Sequence, residues 1–116
     1  MPTGDRQAAK LVNEAGLQSF IIELALRTGW RVFHPKKVQV QGKYWFTAQE
    51  GHVGYPDLTL AHPEHGLIFA ELKAGRNKLT EDQMIWREVL EACGAEFHVW
   101  RPADQDQIIK RLKGQK

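Results

Sequence analysis

Between the turn-forming segment His62-Pro63-Glu64-His65-Gly66 and the loop Ala74-Gly75-Arg76-Asn77-Lys78 runs Leu67-Ile68-Phe69-Ala70-Glu71-Leu72-Lys73. Leu67, Ile68, Phe69, Ala70 and Leu72 all suit a buried strand, so the segment belongs inside a sheet. Two opposite charges interrupt it. Strand side chains alternate, which puts Glu71 and Lys73 on one face, roughly 6.6 Å apart along the chain, with Leu72 pointing into the core. Buried charges are costly without partners. Whatever this chain folds into must therefore carry a strand with an apolar interior and a charged end.

The surrounding pattern supplies the rest of the fold. From about Asn13 to Thr28, Leu17, Phe20, Ile21, Leu24 and Ala25 recur at helical spacing, with Asn13 placed to cap the start and Gly29 to end it. Trp30 to His34 reads as a strand stopped by Pro35. Val38 and Val40, then Tyr44 and Phe46, alternate around Gln41-Gly42-Lys43 as in a hairpin. A glycine-containing loop, Gln49 to Gly54, leads to a strand at Asp57 to Ala61. Beyond the charged strand come a helix from about Glu81 to Ala92, a strand from Ala95 to Trp100 and an amphipathic helix from Asp104 to Lys113. This order predicts an α/β fold, a mixed sheet flanked by helices, with the hairpin making part of it antiparallel.

A chain of 116 residues is enough for one domain, with a core at about 13–112. At this size roughly two-thirds of the unfolded surface can be buried without disulfides or structural metal. The lone Cys93 excludes an internal disulfide and a cysteine-based zinc knuckle, and a reducing cytoplasmic setting is expected. No apolar run approaches the roughly 18 residues of a membrane span, and the first residues lack the apolar stretch of a signal peptide. The net charge of +2 is too mild to establish nucleic-acid binding. Its distribution says more, with clusters at Lys36, Lys37 and Lys43, at Lys73, Arg76 and Lys78, and at Lys110, Arg111, Lys113 and Lys116. Such clusters can line one phosphate-binding face; a solvated surface explains the tail cluster equally well.

Asp57 opens the strand that precedes the charged one, directly after Gly54-Tyr55-Pro56. If the two strands pair, Asp57 faces the same point as Glu71. Two carboxylates there repel each other unless a cation lies between them, and hard oxygen donors suit Mg²⁺ or Mn²⁺. Such an ion, held by Asp57, Glu71 and the backbone carbonyl of Leu72, would bind a phosphodiester oxygen and acidify a bound water. Lys73 would orient that water and stabilise the anionic transition state. An ammonium beside two carboxylates tends to stay charged, so positioning and electrostatics are expected of it rather than a strict general-base role.

Pro56-Asp57 followed by Glu71-Leu72-Lys73, fourteen residues beyond the aspartate, resembles the PD-(D/E)XK nuclease signature. Gly54-Tyr55-Pro56-Asp57-Leu58, Ala70-Glu71-Leu72-Lys73, Leu79-Thr80-Glu81-Asp82-Gln83 with Trp86, and Val99-Trp100-Arg101-Pro102 resemble its VRR-NUC branch. The resemblance runs from about Asn13 to Leu112. It implies a restriction-endonuclease-like mixed sheet with catalytic residues at one end. It further implies a metal site completed by a first-helix glutamate, matched by Glu14, and a glutamine near the active site, matched by Gln83. Compact members of the family imply a homodimer that cuts branched DNA, with the four-way Holliday junction as the leading candidate.

Plainer readings stand beside these. Glu14 in a first helical turn favours the helix dipole without any metal, and Thr80-x-x-Gln83 is a capping box that needs no catalysis. Asp57, Glu71 and Lys73 can form a structural ion-pair cluster. The five histidines show no tight metal-ligand spacing, and His62 and His65 are expected to be solvated in their turn. Trp30, Trp86 and Trp100 fit packing better than base stacking, Trp45 being the one to watch. A flap, nick or duplex nuclease and a non-catalytic DNA-binding module remain alternatives.

Overall fold

The computed structural model describes residues 13–35, 38–40, 44–46 and 50–114. Helix α1 spans Glu14–Arg27, and the Asn13 side chain accepts a hydrogen bond from the Gly16 amide at 2.7 Å. Leu17, Ile21 and Ala25, four residues apart in succession, are fully buried, the stripe that 3.6 residues per turn produces. The Thr28 hydroxyl donates to the Leu24 carbonyl at 2.8 Å, closing the last turn. Gly29 at φ +90° then swings the chain into β1, Arg31–Phe33; the preceding Trp30 is buried and its Nε1 donates to the Leu112 carbonyl at 2.9 Å.

Strands β2, Val38–Val40, and β3, Tyr44–Phe46, pair antiparallel as the hairpin expected, in a two-stranded sheet of their own. Their side chains, including Trp45, lie outside the described residues. The main sheet holds β4, Leu58–His62, β5, Gly66–Leu72, and β6, Glu96–Trp100, in the order β1-β4-β5-β6. β4 runs antiparallel to both β1 and β5, whereas β6 is parallel to β5. A parallel neighbour needs a crossover, and α2, Glu81–Ala92, supplies it. A short 3₁₀ turn at Pro102–Asp104 precedes the last helix α3, Gln105–Leu112, so that helix begins one residue later than its sequence pattern suggests.

Alternation along β5 builds the core. Ile68, Ala70 and Leu72 are buried together with Leu58, Leu60 and Trp100, beneath Leu17, Ile21 and Ala25 of α1 and Ile108 and Leu112 of α3. Each such leucine or isoleucine contributes about 1.5–3 kcal/mol when removed from water. The other face presents Phe69, Glu71 and Phe97 towards α2, whose Arg87 guanidinium lies over the Phe97 ring at 5.8 Å. The α/β architecture is a four-stranded mixed sheet with three helices, consistent with a restriction-endonuclease-like fold. No helix among the described residues is long and apolar enough to cross a membrane.

Candidate active site

The β4–β5 ladder ends at the Leu58–Ala70 pair, because Pro56 has no amide to extend it. Beyond that point the Asp57 side chain takes over: its Oδ2 accepts the Leu72 amide at 2.8 Å. Asp57 thus sits one residue before β4, tied to the end of β5 where Glu71 and Lys73 emerge. His34, just past β1, donates from Nδ1 to the Asp57 carbonyl at 2.8 Å, since a carbonyl can only accept. Three adjacent strands converge on one aspartate.

Glu71 is 1% exposed and Lys73 9%. Oε1 of Glu71 accepts from Gln83 Nε2 at 3.1 Å. The Gln83 Oε1 is itself taken by the Thr80 amide at 2.9 Å, and the Thr80 hydroxyl accepts the Gln83 amide at 3.2 Å. One glutamine therefore closes the capping box of α2, as its plainer reading expects, and also reaches Glu71 on the charged strand. The cap fixes which way its amide points, leaving Nε2 as the donor towards Glu71. The second carboxylate oxygen, Glu71 Oε2, is buried with no hydrogen-bond partner.

Burial pushes the Glu71 carboxyl up to about 9, because water no longer stabilises its charged form. The Asp57 charge pushes the same way, and so, more weakly, does Glu14; Lys73 opposes them. Glu14 is near enough to be felt, but its Oε2 accepts from Asn77 Nδ2 at 3.2 Å. Asn77, His34 and Thr80 as a support for Gln83 were not singled out as site residues by sequence reasoning. Their partners lie in other elements or, for Thr80, look like ordinary capping.

Among the described residues no group of three His, Cys, Asp or Glu side chains forms a ready cage for a metal ion. What fits a cation is the donor chemistry of Asp57 and Glu71, two carboxyls whose charges repel, together with the orphaned Oε2. A hard divalent ion would offset that repulsion and give Oε2 the partner it lacks. Leu72 meets Asp57 through its amide.

Residues 32–104 match the VRR-NUC domain model. That span is more than half of the chain. The chain belongs to the VRR-NUC family. No curated protein and no solved structure matches it. As a VRR-NUC protein it is a nuclease, with DNA as its substrate. The matched span takes in Asp57, Glu71, Lys73 and Gln83 and begins after Glu14.

Elsewhere in this VRR-NUC protein, Trp30 and Trp100 are core residues at 2% exposure each. The half-buried Trp86 donates from Nε1 to the Val53 carbonyl at 3.0 Å. His62 and His65 are not simply solvated: their rings lie 4.3 Å apart and pack against Trp30.

Proposed function

We propose that this VRR-NUC protein is a structure-specific endonuclease dependent on Mg²⁺ or Mn²⁺ that cuts branched DNA, four-way junctions foremost, as a homodimer. The observation that carries the metal-dependent reading is Glu71, a carboxyl buried beside Asp57 with one oxygen unpartnered. Structural carboxylates at such burial are normally satisfied by donors.

In this reading Asp57 and Glu71 hold the ion, with Glu14 available to join them when it exchanges Asn77, and the Leu72 carbonyl as a further donor. When bound, the ion supplies Lewis-acid polarisation of the phosphodiester and a more acidic water. The rest is the work of the chain. Lys73, 9% exposed, offers a fixed positive charge to the phosphoryl oxygens as negative charge builds on them. Gln83 holds the Glu71 carboxylate in one orientation, and His34 and the Leu72 amide hold Asp57.

The junction preference is supported by the family resemblance and by size. A domain this small grips little duplex, whereas a two-fold pair presents two sites to a nearly symmetric substrate. A labelled four-way junction, a flap, a nicked duplex and a linear duplex, incubated with wild type and Lys73→Ala in Mg²⁺, Mn²⁺ or EDTA, test the reading. Paired incisions near the branch point are expected, absent with EDTA and with the variant. Equal cutting of linear duplex would remove the junction preference, binding without cutting in either metal would leave a non-catalytic module, and monomeric elution at working concentration would remove the dimer.

A further inference from the structure

The connection from β5 to α2 is an exposed loop held at several points. Its first part is a turn in which the Asn77 amide donates to the Ala74 carbonyl at 3.2 Å, with Gly75 at φ +57°, a conformation glycine takes without the usual side-chain penalty. Asn77 Nδ2 reaches Glu14 on α1 at 3.2 Å, and Arg101 Nη1 reaches the Gly75 carbonyl at 3.4 Å from beyond β6. The loop is thus tethered to α1 and to the end of β6 as well as to the two elements it joins. Those elements carry Glu14, Glu71 with Lys73, and Gln83.

Arg76 and Lys78 stand on this tethered loop, three and five residues past Lys73, and both are exposed. Among the described residues neither forms an ion pair, although Glu81 and Asp82 follow closely at the start of α2. Exposed ion pairs add little stability, so the fold loses little by leaving both cations unpaired. A loop that must receive a polyanion keeps them free, and its tethers lower the entropy lost when the anion arrives.

We infer that Arg76 and Lys78 form a phosphate clamp, each binding a backbone phosphate of the DNA strand that flanks the bond being cut. The inference rests on the assignment of Asp57, Glu71 and Lys73 as the cleavage site. The clamp reads charge and not sequence, so it acts on duplex and branched DNA alike. The two residues differ in role: the Arg76 guanidinium can grip a phosphate with two parallel hydrogen bonds, while Lys78 acts as a point charge.

The test is binding, read apart from cleavage. Fluorescence anisotropy of a labelled linear duplex and a labelled four-way junction in EDTA, over a salt series, compares wild type with Arg76→Ala, Lys78→Ala and the double variant. Removing either cation should weaken binding roughly fivefold to tenfold near 0.1 M salt and flatten the log–log salt slope by ~0.9, and removing both should flatten it by ~1.8. Arg76→Lys and Lys78→Arg should keep the slope, showing that charge and not loop folding is read. Wild-type slopes in the alanine variants would overturn the clamp. So would an equal weakening in Lys110→Ala, an exposed cation on α3, because the effect would then be general charge. Cleavage by Lys73→Ala, run in parallel with Mg²⁺, reports on the site itself; if that variant still cuts, the site assignment fails while the salt slopes still decide the clamp.

Discussion

At the Glu71 position the fold holds a carboxyl that prefers its proton. Burial raises it from 4.5 to about 9, so between those values the native protein binds more protons than the unfolded chain. Native stability therefore falls as pH rises through that window. Glu71→Gln keeps the shape and the acceptor for Gln83 but removes the acid. In EDTA, the wild-type thermal midpoint should decline from pH 5 to pH 8, while the variant stays flatter and melts higher at pH 8. Mg²⁺ should restore the wild-type midpoint at pH 8 and leave the variant unmoved. Parallel pH profiles for the two proteins would rule out a buried acid at this site. Gln83 allows a complementary test, because Gln83→Glu preserves the capping box but turns a donor towards Glu71 into a second negative charge. Helix α2 should keep its stability while cleavage drops about 10- to 100-fold, the range seen when a group supporting a metal ligand is removed. Gln83→Ala should lose activity and also about 1 kcal/mol of stability, because the cap goes with it. Equal melting of the two variants would deny the double role.

The elements that place these residues are short, and their junctions matter more than their interiors. Gly54 has φ +90°, and a Cβ there would lie 2.7 Å from the backbone carbon of Asp82 on α2. The loop before Asp57 thus rests directly on the helix that carries Gln83. Gly54→Ala forces the two apart and should lower stability by about 1–3 kcal/mol, with cleavage falling further than melting implies; unchanged melting would mean that the loop has room to shift. This contact also marks where the sequence stops being legible. The α1 stripe of Leu17, Ile21 and Ala25 and the apolar run of β5 are local patterns, and they appear where periodicity puts them. The convergence of Asp57 on Glu71 could be argued because their strands are neighbours in the chain. His34 on Asp57 and Asn77 on Glu14 span 23 and 63 residues, and no local pattern announces a partner that far away. Helix α2 forms where the sequence puts it, yet its Met84, Ile85 and Val89 remain 47%, 52% and 52% exposed. Periodicity reveals that a helix has an apolar face, not that the face is covered.

Across the whole molecule one side chain joins the C-terminal helix to the sheet. Arg111 on α3 donates from Nε and Nη2 to the Glu96 carboxylate on β6 at 2.7 and 2.9 Å, and to the His65 carbonyl ahead of β5 at 2.6 Å. Its guanidinium lies 5.4 Å over the Trp30 ring. These hydrogen bonds hold the Glu96 carboxyl below its usual range; burial opposes them and His98 assists. Stability from a depressed carboxyl is fully present above the unfolded value of about 4.5 and is lost as pH falls through the lower folded one. The sign is opposite to that of Glu71, so the two groups bracket the pH profile of the metal-free protein. Without divalent ions the thermal midpoint should be highest in mildly acidic buffer near the shared unfolded value, falling on the acid side as the folded Glu96 loses its charge and on the neutral side because Glu71 keeps its proton in the fold but not in the unfolded chain. Arg111→Met should flatten the acid limb and lower stability at pH 7 by about 2–3 kcal/mol, the range for a hydrogen-bonded charged group. Glu71→Gln should flatten the other limb and leave the acid one in place. Melting curves of the three proteins across pH in EDTA separate the limbs. An acid limb that survives in Arg111→Met would mean that Glu96 does not set it, and the pairing would then hold the helix by geometry alone.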